Sequence, residues 1–270
     1  MNNKQTICIT GSGSGLGKEA VLEIARKGHK VIATVLYEEQ IEDILKIKNR
    51  ENLDIEVLKI DITNKNDRNK LSSYDIDVFI SNAAIADSGS VAEVDVKRIE
   101  DVFNINVFSN IRLTQLILKN MIENKKKGKV IFLSSLIGRI SLPFLAPYAS
   151  SKFAIEGFAS SLRDEMKILN KLSGTNIQIS IIEPGSYATG FNMETGNKKY
   201  GWMYENSYFS DYANLIRKVE NKIWFLTEQK TYKSILKKYV KVVETKKLKR
   251  RYCAPLHQSI FIQLMRILGK

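Results

Sequence analysis

Tyr148 and Lys152 stand four residues apart, so a helix through them sets a phenol and an ammonium on one face. A phenol has a reference pKa of about 10, too high for easy proton exchange near neutrality. A neighbouring ammonium favours the phenolate and is expected to lower that value. Ser135, thirteen residues before Tyr148, follows an apolar run, and its hydroxyl can hold a carbonyl or alcohol oxygen beside the phenol. Together the three side chains read as a proton-transfer site.

A second group of residues binds rather than reacts. Thr10 to Lys18 read TGSGSGLGK, directly after the apolar TICI. A Walker A loop needs glycine where Ser12 stands and Ser or Thr where Glu19 stands. The fingerprint G-x-G-x-x-G, started at Gly11, puts Leu16 at its last glycine. The spacing is instead T-G-x-x-x-G-x-G, carried by Gly11, Gly15 and Gly17, with Ser12, Ser14 and Leu16 between them. Glycines allow close backbone approach, and a helix that starts there offers free amides and its positive dipole end to a pyrophosphate.

Both groups need elements to position them. Short runs rich in Ile and Val at 6–10, 30–35, 55–61, 77–81, 129–134 and 177–182 read as strands buried on both faces. Amphipathic stretches at 16–27, 93–124 and 148–172 read as helices. The alternation predicts an α/β fold, a Rossmann-type doubly wound parallel sheet in three layers, with residues 1–270 as one domain. Ligands of such sheets lie beyond the carboxyl ends of the strands, where the glycine loop and Ser135 both fall. After Ile182 the rhythm breaks, and 183–212 reads as an aromatic loop. A substrate-covering loop and helices are expected at about 186–228, a strand at 251–253 and a C-terminal helix at about 256–268. In that last helix Leu256, Ile260, Phe261, Leu264 and Leu268 recur at helical spacing. Packing on the domain or on a partner subunit is the expectation, with peripheral membrane contact as the lesser alternative.

The composition, 44% hydrophobic and 26% charged, is that of a globular chain with length for a substantial core. No apolar run approaches the roughly 18 residues of a membrane span. The opening MNNKQTICITGSG enters the first strand without an apolar leader, and a cytoplasmic location is expected. Cys8 and Cys253 suggest no disulfide framework, and His29 and His257 have no ligand-like partner, so no metal site is expected. The net charge of +13 is concentrated in Lys125-Lys126-Lys127 and in 246–251, the latter placed at the end of a helix. Without interleaved aromatics these runs read as solvated surface rather than a nucleic-acid site.

With these motifs in this order, residues 6 to 190 resemble the short-chain dehydrogenase/reductase family, in its compact single-domain branch. The resemblance implies that Gly11 to Gly17 hold the cofactor and that Asp61 and Ile62 contact its adenine. Ser81-Asn82-Ala83-Ala84 is similar to the family's NNAG segment. Pro184, Gly185 and Thr189 match its PGxxxT stretch on the nicotinamide side. Tyr187 stands where a small aliphatic residue is common, so its ring is expected to narrow the site. Asn106 would join Ser135, Tyr148 and Lys152 as a catalytic tetrad, supporting a water relay to Lys152, which would also bind the cofactor ribose. The implied cofactor is NADP(H) or NAD(H). Thr34-Val35-Leu36-Tyr37 supplies neither the aspartate of NAD-preferring relatives nor the arginine of NADP-preferring ones, and Glu38 and Glu39 lie just beyond. The missing acid favours NADP. The implied reaction interconverts a secondary alcohol with a ketone or aldehyde. Leu142, Phe144 and the aromatic segment after Thr189 suggest a lipophilic, steroid- or retinoid-like substrate. By the same resemblance a homodimer or homotetramer is expected, joined through the helices that carry Asn106 and Tyr148. The rival readings are a nucleotide-binding regulator without turnover and a basic membrane-associated scaffold.

Overall fold

The computed structural model describes residues 4–269. Its seven strands, in chain order, are β1 (Thr6–Ile9), β2 (Lys30–Val35), β3 (Ile55–Lys59), β4 (Val78–Ser81), β5 (Lys129–Leu133), β6 (Gln178–Pro184) and β7 (Arg251–Ala254). They form one parallel sheet in the order β3-β2-β1-β4-β5-β6-β7, the doubly wound arrangement expected. The order reverses between β1 and β4, and the glycine loop leaves β1 at that point.

Successive side chains on a strand point to opposite faces, and both faces are apolar here because helices cover both. Ile7, Ile9, Ile131 and Ile182 pack on one side with α1 (Gly15–Arg26), α2 (Glu39–Glu51) and α9 (Lys233–Glu244). Cys8, Phe79, Val130 and Phe132 pack on the other with α5 (Asn110–Glu123) and α6 (Ala146–Ser173). The short α3 (Lys65–Asn69) and α4 (Val96–Phe103) complete that layer. The stretch expected as one helix over 93–124 is α4, a π-helical turn at Asn104–Ser109 and α5. Carbonyls freed by the wide turn are met by a side chain: Asn110 Nδ2 donates to Ile105 and Asn106 at 2.9 and 3.2 Å.

Two expectations about the last third are corrected. The segment after β6 holds the helix α7 (Phe191–Asn206) rather than a loop to Tyr212, followed by α8 (Ala213–Thr227). Its buried residues, Thr195, Lys199, Tyr200 and Met203, follow helical spacing, but two of the four are polar or charged, which hides the face from a hydrophobic reading. The basic run 246–251 does not end a helix. α9 stops at Glu244 and the run forms the connection into β7, while α10 (Leu256–Ile267) closes the chain. Of the earlier lysine run, Lys126 turns inward to Asp75 and Asp77.

Candidate active site

Beyond β1, Gly11 and Gly15 adopt φ of +65° and +54°, the region that favours glycine. A Cβ on Gly11 would lie 2.7 Å from Ala83 Cα, and one on Gly17 would lie 2.4 Å from the Gly11 carbonyl oxygen. The loop is thus closed on itself and on the exit of β4, with no space for a side chain at Gly11 or Gly17. Asn82 holds it there, donating through Nδ2 to the carbonyls of Thr10 and Gly11 at 2.7 and 3.1 Å. Thr10 Oγ1 accepts from the amides of Asn82 and Ala83. The Tyr239 hydroxyl, from α9, donates to Asn82 Oδ1 at 2.9 Å and completes the splint. Ser12 is buried and donates to the Ile9 carbonyl at 2.8 Å. Ser14 caps α1 without a side-chain hydrogen bond, so the amides that open the helix have no side-chain acceptor. Self-packed glycines and an uncapped helix start fit a dinucleotide pyrophosphate.

The residues expected on the adenine side, Asp61 and Ile62, follow β3. Asp61 lies beyond β3, where its Oδ1 accepts from the Thr63 amide and hydroxyl at 2.8 and 2.7 Å, and Ile62 beside it is buried. Glu38 is paired with Lys59 at 2.9 Å, which compensates its charge. A residue the sequence did not advertise, Gln40, folds its amide over Gly13, and its Oε1 accepts from the Leu36 and Tyr37 amides at 3.1 Å each.

On the other side of β4, Tyr148 sits in the first turn of α6 with its ring edge against Phe191, centroids 5.4 Å apart. Lys152, one turn on, is buried and places Nζ 5.5 Å from the Tyr148 ring centroid while donating to the Leu133 carbonyl at 2.9 Å. Ser135 follows β5, and its hydroxyl, near enough to the phenol to favour its charged form, donates to the Pro184 carbonyl at 3.4 Å. Asn106 lies in the π-helical turn. Its Oδ1 accepts from the Ile85 amide at 2.8 Å, and its Nδ2 donates to the Ile85 carbonyl and to Ser151 Oγ at 2.8 and 3.0 Å. The four residues therefore gather at the carboxyl end of β4 and β5, as the sequence predicts.

Their electrostatics differ from expectation. Burial raises the Tyr148 phenol above its ordinary value, with the nearby Ser135 hydroxyl pulling the other way. Burial likewise pushes Lys152 down to about 8, against the attraction of Glu156. The expected lowering of Tyr148 by Lys152 does not occur here, because desolvation of the phenolate outweighs an ammonium that is itself desolvated and bonded to a backbone carbonyl.

Beyond β6, a Cβ on Gly185 would strike the Gln258 amide of α10, whose Oε1 also accepts from the Ser186 amide at 2.9 Å. Thr189 lies over the glycine loop, its Cβ 3.5 Å from where a Gly15 Cβ would stand. Pro184 ends β6 and is buried, and Ala84 is half-buried behind the loop. Tyr187 does not narrow the cleft as expected: its ring is buried in the core beside α9, and its hydroxyl pairs with Ser234 at 2.8 Å. The cleft in front of Tyr148 is lined by Ala86, Ile137, Leu145, Phe191 and Trp224, with Lys199 and Glu220 among its walls. Lys199 Nζ donates to both Glu220 oxygens at 2.5 Å, and Tyr200 donates to Oε2 at 2.7 Å, which ties α7 to α8. Neither residue carries a motif, and only their helical phasing could have placed them inside. Among the described residues no cluster of His, Cys, Asp and Glu could hold a metal ion.

The family model for short chain dehydrogenases matches residues 5–200. The chain belongs to that family. It is 34% identical over 194 residues to the uncharacterized oxidoreductase YusZ of Bacillus subtilis, spanning 69% of this chain and 66% of that one. It is 28% identical over 273 residues to the "Probable short-chain type dehydrogenase/reductase VdlC" of Helicobacter pylori, spanning 96% and 92%. A short-chain dehydrogenase from Streptomyces avermitilis has the same fold, with TM-score 0.79 at 20% identity over 100% of this chain and 94% of that one. Two further structures of this fold were solved with nucleotides. One from Burkholderia phymatum holds NAD (TM-score 0.76, 16% identity, 97% and 92% covered), and the actinorhodin polyketide ketoreductase holds NADPH (0.73, 19%, 94% and 97%). As a member of this family the chain is an NAD(P)-dependent oxidoreductase.

Proposed function

We propose that the protein interconverts a lipophilic secondary alcohol with its ketone or aldehyde, using Tyr148 as proton donor and acceptor. The reading is carried by one observation: the Tyr148 phenol, with the Ser135 hydroxyl near it and Lys152 one helical turn on, opens onto a cleft walled by Phe191, Leu145 and Ile137. A nicotinamide supplies or takes the hydride. Ser135 orients the substrate oxygen beside the phenol. Lys152 keeps positive charge below the phenol and reaches the cofactor ribose, and Asn106 positions the Ile85 segment against α6 and supports a proton path to Lys152. The segments 11–17, 61–62, 82–84 and 184–189 form the nucleotide side.

NADP is the preferred nucleotide in this reading, because β2 ends without a carboxylate and Glu38 is tied to Lys59. Residues 1–270 act as one cytoplasmic domain. Self-association runs along α5 and α6, where Phe108, Phe153 and Phe158 stay 43–49% exposed beside Asn106 and Tyr148. The intact tetrad disfavours a regulator without turnover.

A panel of carbonyls and alcohols followed by nicotinamide absorbance tests the reading. Tyr148→Phe should lower kcat by at least about 1,000-fold, within the range of general acid–base catalysis, while nucleotide binding by fluorescence stays unchanged. Unchanged turnover in that variant would sink the mechanism, and activity confined to small polar sugars would sink the lipophilic substrate.

A further inference from the structure

The C-terminal helix does not bury its apolar stripe on its own domain. In α10, Leu256, Ile260, Phe261, Leu264, Ile267 and the adjoining Leu268 are 52–77% exposed, and only Ile262 is buried. The apolar stripe of this amphipathic helix faces away from the domain. In α8, Leu215, Lys218, Val219, Lys222, Ile223 and Leu226 recur at helical spacing and are all exposed, so lysine and aliphatic side chains share one outward face. The two helices meet where Gln258 Nε2 donates to the Thr227 carbonyl at 2.7 Å, and Phe225, 78% exposed, stands beside that junction.

The charge is as uneven as the apolar surface. Residues 213–270 hold 15 Lys and Arg against 3 Asp and Glu, which is +12 of the chain's +13. Two of those acids face inward: Glu220 is bound to Lys199 and Tyr200, and Glu228 accepts from Asn192. Lys218, Lys222, Lys230 and Arg266 are exposed and form no ion pair among the described residues. Among the described residues no helix is long and apolar enough to cross a membrane.

We propose that the joined faces of α8 and α10 dock the protein on the surface of a bilayer that contains anionic lipid. Leu, Ile and Phe side chains enter the boundary between headgroups and acyl chains, and Lys218, Lys222 and Arg266 meet the lipid charge. A second copy of the chain fits this face less well, because a two-fold contact would set the lysines of α8 against their own images with no acid between them. A nucleic acid would answer the lysines and leave the aliphatic stripe of α10 exposed. The inner side of α8 lines the substrate cleft with Glu220 and Trp224, so docking brings that wall next to the lipid.

Co-sedimentation of the full-length protein with vesicles tests this. Vesicles of phosphatidylcholine with about 30% phosphatidylserine should bind it, and pure phosphatidylcholine should bind far less, with the difference shrinking at high salt. Lys218→Gln/Lys222→Gln should weaken binding about 30-fold, from about 1 kcal/mol per surface lysine. Ile260→Ser/Leu264→Ser should weaken it by a comparable factor, with circular dichroism and native mass unchanged. Equal binding to both vesicles, or none to either, overturns the proposal. So does a smaller native mass for the serine variant, which would make the face an interface between copies, or tighter binding to DNA than to the anionic vesicles. None of these readouts depends on turnover, so the proposed reaction can fail without affecting them.

Discussion

The loop after β1 and the helix α7 both carry glycines, in opposite surroundings. At Gly11 and Gly17 a side chain would run into backbone within 2.4–2.7 Å, whereas at Gly196 and Gly201 nothing lies within 4 Å. The same contrast runs through the charges. Residues 1–212 sum to +1, with strands buried on both faces, while 213–270 sum to +12 and expose much of their apolar surface. The glycine loop is fixed by close packing that leaves no room for a side chain at Gly11 or Gly17. The cover over the substrate cleft is tied through a few polar contacts and spends its apolar residues outward.

If that contrast is real, the largest effect should come from the tie between α7 and α8. Lys199→Met leaves Glu220 beside Tyr200 with its ammonium partner gone, and breaking a buried pair costs about 3–5 kcal/mol. The loss should be local. Amide exchange in α7 and α8 should quicken and KM should rise, while exchange in the central strands stays slow. Lys199→Met/Glu220→Leu should recover most of the loss, since an apolar pair removes the stranded charge. Equal loosening of the whole sheet in the single variant would erase the distinction between the two regions.

The next effect probes the packed side. Lys152 has a folded pKa of about 8 against an unfolded reference near 10.5. Below pH 8 both states hold the proton, and the folded protein bears the cost of a buried ammonium. Between the two values the unfolded state binds more protons, so stability rises with pH. From pH 8 to 10 the contribution should grow by about 2.5 kcal/mol in the protein without nucleotide. The raised thiols of Cys8 and Cys253 oppose it from about pH 9, and the raised phenols of Tyr148, Tyr200 and Tyr239 oppose it above pH 10, because the unfolded state then loses protons that the folded state keeps. The difference in urea stability between wild type and Lys152→Met should shift in favour of the wild type across this window, the thiols being common to both. Parallel curves would mean that the ammonium is not desolvated.

What could be read from the sequence follows from the same physics. β2 was legible to the residue because Lys30–Val35 is a β-branched run ending at polar residues. Tyr148, Lys152 and Ser135 were legible as a group because their spacing sets helical phase and a strand end, whereas Asn106 was legible only through the family resemblance. Tyr239 was not, since its partner Asn82 lies 157 residues away and nothing local marks the pair. Gln40 was hidden for a related reason: its contact is made by a flexible amide reaching back over Gly13. In α10 the apolar spacing was plain in the sequence but its orientation was not. Periodicity shows that a helix has an apolar face and leaves open whether the domain covers it.

The smallest effects sharpen the glycine comparison directly. Gly17→Ala would put a methyl carbon 2.4 Å from the Gly11 carbonyl, so the loop must part from α1 or from Asn82. Overpacking of that kind costs about 2 kcal/mol, and the uncapped amides of α1 would lose their alignment, so nucleotide affinity should fall with stability. Gly201→Ala should act in the other direction. Gly201 lies within α7, is exposed and has no neighbour that a methyl would meet, so it bears only the entropic penalty of glycine in a helix. Alanine there should stabilise the helix by about 0.5–1 kcal/mol, seen as slower amide exchange in α7 at unchanged nucleotide affinity. Loss of stability at both positions would mean that α7 is packed as tightly as the glycine loop, and the cover would then be part of the rigid core.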